Sequence, residues 1–272
     1  MTAAPAPLPE PDALELLTSG RITVEGRMAA ASNATLYARI EHADVTAHCI
    51  YKPVAGERPL WDFPHGTLGR REVAAYVVSV ATGWEVVPPT VWRDGPFGPG
   101  SVQLWVDAVE LETDLVDVVP ARRVPPGWLR VLDAEDVRGG DVTLVHADDA
   151  RLARMAVFDA VIDNADRKGG HVLCGADGQV WGVDHGLSFN VMDKLRTVLW
   201  GWQGDPLPDD AIDVLRALAS DLEGDSVLHE SLCDLLSDAE VSRTRQRVER
   251  LLRTRTFPTP RHGGPVIPWP PF

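Results

Sequence analysis

Apolar and polar residues alternate over Leu36-Tyr37-Ala38-Arg39-Ile40 and again from Val45 to Lys52, so Ile22 to Ile50 reads as β-rich. Pro53 cannot continue a central ladder, which puts Lys52 at a strand end. Before these strands, Leu14, Leu16 and Leu17 give one apolar edge to a short helix. Asp12 and Glu15 have capping-box spacing and Gly20 closes it. After a Gly/Pro loop from Val54 to Gly66, Arg70 to Thr82 reads as a helix with Val73, Tyr76, Val77 and Val80 on one face and Gly83 at its end. A turn at 94–100 leads into a buried strand, Val102 to Val106. The pattern weakens from Ala108 to Gly140.

Asp148 or Asp149 then caps a helix carrying Leu152, Met155, Phe158, Val161 and Ile162, apolar over much of its surface and so central. Val172-Leu173 and Val180 to Val183 flank Asp177-Gly178, which predicts a type I′ hairpin. One later helix carries Ile212, Leu215, Leu218 and Leu222. Another starts at the capping box Ser237 to Glu240. Together these elements predict an α+β chain of two lobes: a disordered start at 1–11, a β-rich N-lobe at 12–107, a mainly helical C-lobe at 108–256, and a Pro/Trp-rich tail at 257–272. The tail either packs back as a strap or docks a partner.

Length agrees: 272 residues suit two lobes. A 44% hydrophobic content supports a large core. The net charge of −14 makes nucleic acid and membrane poor partners and slightly favours a soluble small-molecule or protein acceptor. Three widely spaced cysteines, Cys49, Cys174 and Cys233, suggest neither a disulfide framework nor a metal CxxC, and fit the cytoplasm. The N-terminus lacks signal-peptide patterning, and no stretch is apolar for long enough to span a bilayer.

The candidate chemistry sits around Asp166 and Asp184. Asp166 lies in a loop between a helix and a hairpin, and Asp184 follows the hairpin in Gly182-Val183-Asp184-His185-Gly186. Phosphoryl transfer needs one carboxylate near the attacking hydroxyl and another on the metal that bridges the phosphates. Asp166 suits the first role, with Arg167 neutralising charge beside it, and Asp184 suits the second. His171, five residues past Asp166, is a further metal candidate whose nitrogen suits Mn²⁺ better than Mg²⁺, with a phosphate contact or a structural role as rivals. His185 reads as structural. Lys52 at its strand end can grip nucleotide phosphates, with Glu72 on the next helix holding it. Trp200 and Trp202 read as core, with a substrate wall as the rival. The run Arg243 to Arg255 reads as a solvated basic face.

Ile50-Tyr51-Lys52-Pro53, Asn164-Ala165-Asp166-Arg167 and Val183-Asp184-His185-Gly186-Leu187-Ser188-Phe189 resemble the motifs of the type II phosphatidylinositol 4-kinase-like family, within the phosphoinositide 3-/4-kinase and atypical protein-kinase-like superfamily. An actinobacterial branch matches best, over about Ile22 to Pro206. The resemblance implies a bilobal kinase-like fold, ATP in the cleft and Mg²⁺ or Mn²⁺. It assigns Lys52 to phosphates, Asp166 to catalysis and Asp184 to metal. It makes Gln103 to Val106 the hinge that meets adenine. Two departures stand out. His171 replaces the family Asn, and Ser32-Asn33-Ala34-Thr35 stands where a glycine-rich nucleotide-covering loop is usual. The expectation is therefore an ATP-dependent phosphotransferase acting on a hydroxyl. The alternatives are a nucleotide-sensing pseudokinase or a nucleotidyl transferase.

Overall fold

The computed structural model describes residues 8–28, 33–109, 114–261 and 264–272. The alternating stretches become strands Arg21–Arg27 (β1), Leu36–His42 (β2) and Val45–Pro53 (β3), and Pro53 is the last residue of its ladder, opposite Gly100. Two further strands, Thr90–Gly95 (β4) and Gly98–Leu104 (β5), complete an antiparallel sheet of order β1-β2-β3-β5-β4. β4 went unpredicted, and β5 starts and ends earlier than the apolar run at 102–106 suggested. Period-2 alternation gives the sheet two chemically different faces. Ala38, Ile40, Cys49, Tyr51 and Val102 pack with Leu16 and Leu17 of the first helix, Glu10–Ser19 (α1). Tyr37, Ile50, Lys52 and Gln103 share the opposite face, because Ile50 pairs with both Tyr37 and Gln103 and Lys52 lies two residues on.

α1 differs from expectation at its start. It begins at Glu10, within the stretch expected to be disordered, with Pro9 at the N-cap and no side-chain cap; Asp12 sits in the first turn instead. Proline in the first turn costs no hydrogen bond and leaves one fewer orphan amide to cap. The Tyr76 hydroxyl donates to Glu10 at 2.5 Å and ties this helix to the next one.

That next helix, Leu68–Thr82 (α2), ends on Gly83 at φ 65° as expected. Its burial does not follow the expected stripe. Val80 is half exposed, whereas Arg71, Glu72, Ala74, Ala75 and Val78 are buried. The helix is wedged between the sheet and the C-lobe, so it buries polar residues that pair across that contact. Arg71, for example, binds Glu240 and donates to the Ser188 carbonyl at 2.6 Å.

The weakly patterned stretch after Ala108 holds a three-stranded antiparallel sheet of order β6-β8-β7: Val116–Pro120 (β6), Trp128–Glu135 (β7) and Asp141–Ala147 (β8). β7 is largely exposed, so its sequence lacks clean alternation. The C-lobe core surrounds Ala150–Ile162 (α3), whose N-cap Asp149 accepts from the Arg151 amide as expected. Asp209–Asp221 (α4), Val227–Cys233 (α5) and Asp238–Thr254 (α6) pack around it, and the Ser237/Glu240 capping box is formed. α5 went unpredicted, being short.

The hairpin Val172–Cys174 (β9) and Val180–Gly182 (β10) is present, but its turn is not type I′. Only Gly178 has positive φ, the Gly178 amide bonds to the Gly175 carbonyl, and the Gly175 amide bonds to the Gln179 carbonyl. This is a type I turn closed by a left-handed glycine, the three-residue-loop solution. Ala108 bridges Gly175, so the chain leaving β5 joins the C-lobe beside this hairpin. The fold is α+β and bilobal, with a β-rich N-lobe and a mainly helical C-lobe. Among the described residues no helix is long and apolar enough to cross a membrane.

Candidate active site

The cleft residues come from four elements. β3 presents Lys52, whose ammonium lies 2.5 Å from Glu72 Oε1 on α2 and 2.8 Å from Asp184 Oδ1 after the hairpin. The second Glu72 oxygen accepts the His185 amide at 2.9 Å. One buried carboxylate thus fixes both the lysine and the backbone next to Asp184. Burial opposes the Lys52 charge, but Asp184 and Glu72 outweigh it and raise its pKa. Lys52 in turn holds the Asp184 carboxyl well below the usual carboxylate range, whereas burial raises Glu72.

The loop carrying Asp166 is built by its neighbours. Asp163 ends α3 in the left-handed region (φ 55°), which Asp tolerates better than most residues, and its carboxylate accepts the Lys194 and Leu195 amides. Asn164 then accepts the Asp166 amide at 3.0 Å and donates to Asp159. Asp184 (φ 60°) and Phe189 (φ 62°) are also left-handed. Three such residues bracket the site, and backbone held this way concentrates at functional positions.

Asp166, His171 and Asp184 each offer a ligand atom within 4.8 Å of the others. The His171 Nδ1 faces the Asp166 carbonyl at 3.0 Å, so it is the donor, and its Nε2 lone pair points to Asp184 Oδ2 at 3.6 Å. Burial lowers the His171 pKa to about 4, which keeps the ring neutral and able to ligate. Two carboxylates and one imidazole fit a divalent cation, with Mn²⁺ suited better than Mg²⁺ by the nitrogen. Burial also raises the Asp166 pKa, even though Lys168 lies 3.4 Å away.

Arg167 stands elsewhere. It is fully buried, and its five donors go to Asp159 (2.8 and 2.9 Å), the His171 and Val183 carbonyls, and His185 Nε2. It therefore braces the loop and cannot neutralise charge beside Asp166, because no donor remains. His185, which accepts one of these bonds, is fully buried and structural in its contacts. Gln103 lies inside β5, paired with Ile50 and Thr90, and its buried side chain donates to Thr90 at 2.8 Å. Val106 follows in the connector that reaches the hairpin. Among the nucleotide-covering residues, Asn33 accepts the Arg58 amide at 2.8 Å, the Ala34 amide bonds to the Gly56 carbonyl, and Thr35 accepts the Met28 amide. Asn33 and Ala34 thus hold this loop against 54–58, whereas Thr35 ties it to the end of β1. Ser32 lies outside the described residues.

Some cleft residues went unpredicted. Tyr37 stacks on His48 (4.9 Å) and meets Trp105 edge-on (5.0 Å), forming an aromatic wall on the Lys52 face of the sheet. The pairing of Tyr37 with Ile50 is the signal, since it puts both on the lysine's face. Trp200 and Trp202 are core residues, donating to the Val266 carbonyl and to Asp148. The tail packs back on the body: the Thr197 amide bonds to the Val266 carbonyl and the Gly169 amide to the Pro271 carbonyl.

No family model matches the sequence, so the phosphoinositide-kinase-like motifs remain a resemblance. Among solved structures, the Helicobacter pylori proinflammatory kinase CtkA aligns with 89% of this chain and 94% of its own, at 10% identity and a TM-score of 0.48. That likeness is too slight to carry an argument, and the kinase-like reading rests on the element order and on the Lys52–Glu72–Asp184 geometry. Protein Rv2133c of Mycobacterium tuberculosis is 52% identical over 265 residues, 94% of each chain. At that identity and coverage, the chain belongs to the family of Rv2133c.

Proposed function

We propose that this chain is an ATP- and divalent-metal-dependent phosphotransferase that acts on a hydroxyl of a soluble small molecule or protein. The observation that carries the reading is Lys52, held by Glu72 from one lobe and by Asp184 from the other, beside the Asp166–His171–Asp184 donor set. Phosphoryl transfer asks a protein mainly for positioning and charge neutralisation, and this constellation offers both. A cation held by Asp184 and His171, with Asp166 at its side, would neutralise charge on phosphoryl oxygens. Lys52 would grip the same phosphates. The Asp166 carboxylate would accept the hydrogen bond of the acceptor hydroxyl and take its proton as the new P–O bond forms and the bond to the leaving ADP oxygen breaks. Its raised pKa suits a transient proton acceptor. The wall of Tyr37, His48 and Trp105, with the backbone near Val106, offers a flat ligand such as adenine a surface to stack on.

ATP consumption with Mg²⁺ and with Mn²⁺ tests this, comparing the wild type with Asp184→Asn. The expected outcome is a drop of about a hundredfold or more in the variant, the scale for removing a charge stabiliser from a transition state. Equal, nonzero rates would remove Asp184 from the chemistry. Mass spectrometry of the products separates phosphate transfer from an AMP adduct. Metal-dependent ATP binding without turnover on any acceptor would instead identify a nucleotide-sensing module.

A further inference from the structure

The run Arg243 to Arg255 was expected to form a solvated face; Arg245, Arg253 and Arg255 do, with Arg245 paired to Glu249, but the structure turns the other three arginines inward. Arg243, Arg247 and Arg250 share one helix face through their i, i+4, i+7 spacing. All three converge on the carboxylate of Asp193, at 2.8, 2.9 and 2.8 Å, and Arg261 joins them. The Asp193 side chain is 3% exposed. Burial opposes its ionisation, but Arg250 and Arg247 outweigh burial and hold it well below the usual carboxylate range.

Asp193 lies in the segment that follows Asp184, and that segment is laced to the catalytic loop. The Ala165 amide bonds to the Leu187 carbonyl, Arg196 to Asn164, Arg167 to Arg196 and Val198 to Arg167, all at 2.9–3.1 Å. The fully buried Arg247 also reaches Asp163 (3.3 Å) and the Asn190 carbonyl, so it joins Asp193 to the residue that starts the loop. Four guanidiniums face two carboxylates, Asp193 and Asp163, in a chain whose net charge is −14. Arg243 Nε and Arg247 Nη1 are buried with no hydrogen-bond partner among the described residues. The cradle is rich in donors and positive charge, and a single carboxylate at its centre satisfies most of it.

We propose that Asp193 is a built-in latch: a positioning residue whose carboxylate fills an arginine cradle on α6 and holds residues 187–198 against the catalytic loop. A fixed charge thereby does what an added phosphate does in segments that arginines order after modification. The holding rests on geometry alone, and only its effect on turnover depends on the phosphotransfer reading. With Asp193 removed, the cradle should admit a small anion, because the arginines then repel one another around a carboxylate-sized gap.

Hydrogen exchange read by mass spectrometry on the full chain tests the latch. In the near-isosteric Asp193→Asn, residues 187–198 should exchange roughly tenfold faster or more, while β1 to β3 exchange as in the wild type. In Asp193→Ala, sodium acetate should slow that exchange back toward the wild-type rate, and sodium chloride at equal ionic strength should not. Wild-type exchange of 187–198 in Asp193→Asn would overturn the latch, as would equal effects of acetate and chloride. Should Asp193→Ala fail to fold, Asp193→Asn decides alone. ATP consumption in the same samples separates the two ideas. Faster exchange together with no ATP consumption even by the wild type would leave the latch standing and sink the phosphotransfer reading. Faster exchange with unchanged turnover would remove the positioning role from catalysis.

Discussion

Arg167 shows how much a single residue's role depends on where its donors go. In sequence it stands beside Asp166, which suggested charge neutralisation at the reacting centre. In the structure all five donors are spent inside the protein, on Asp159, His185 and two carbonyls. Lysine offers three donors from a point charge and cannot reproduce that planar fork. Arg167→Lys should therefore cost about 3 kcal/mol in urea unfolding, the scale for breaking a buried ion pair. A variant as stable as the wild type but slow in turnover would return Arg167 to the chemistry. Asp166, His171 and Asp184 are different, because each keeps a ligand atom turned toward the others.

At the scale of elements, what was legible followed strong periodicity or explicit caps. β2, β3, α3, α4 and the start of α6 stand where alternation, an apolar stripe, Asp149 or the Ser237 box put them. Lys52, Glu72, Asp166 and Asp184 came from chain order, since each sits at a strand end, a helix face or a loop tip. Contacts between distant elements were not legible. Arg71 drew no reading from the sequence, because its partner Glu240 lies far along the chain. The exposed β7 and the short α5 carry too little pattern to announce themselves. β8 adds a testable consequence. The buried His146 donates from Nδ1 to the Ala147 carbonyl and accepts the Gly201 amide on Nε2 at 3.0 Å, so only a neutral ring fits. Burial lowers its pKa. Its stabilising contribution is therefore fully present above the ordinary histidine value of about 6.5 and is lost as pH falls through the depressed folded value. Urea unfolding should show stability falling below that pH, with a flatter profile in His146→Gln. Parallel profiles would contradict this account of His146.

At the scale of the whole molecule, the two lobes meet through charged contacts that also build the site. Lys52 reaches Asp184 across the cleft, Arg71 reaches Glu240, and Lys194 pairs with Asp62 at 2.6 Å. The tail adds a clamp on the C-lobe side. A Cβ on Gly169 would clash with the half-exposed Phe272 ring, so Gly169→Ala should push that ring aside and speed hydrogen exchange at residues 168–171. Unchanged exchange there would show that the Phe272 ring does not brace the loop that carries Asp166. In the proposed function a cation and nucleotide phosphates meet between Lys52 and the Asp166–His171–Asp184 set. Titration calorimetry of ATP into the full chain, with and without Mn²⁺, tests it most directly. Binding should require the metal and be lost in Asp184→Asn. ATP binding that is indifferent to the metal and unchanged in Asp184→Asn would contradict it.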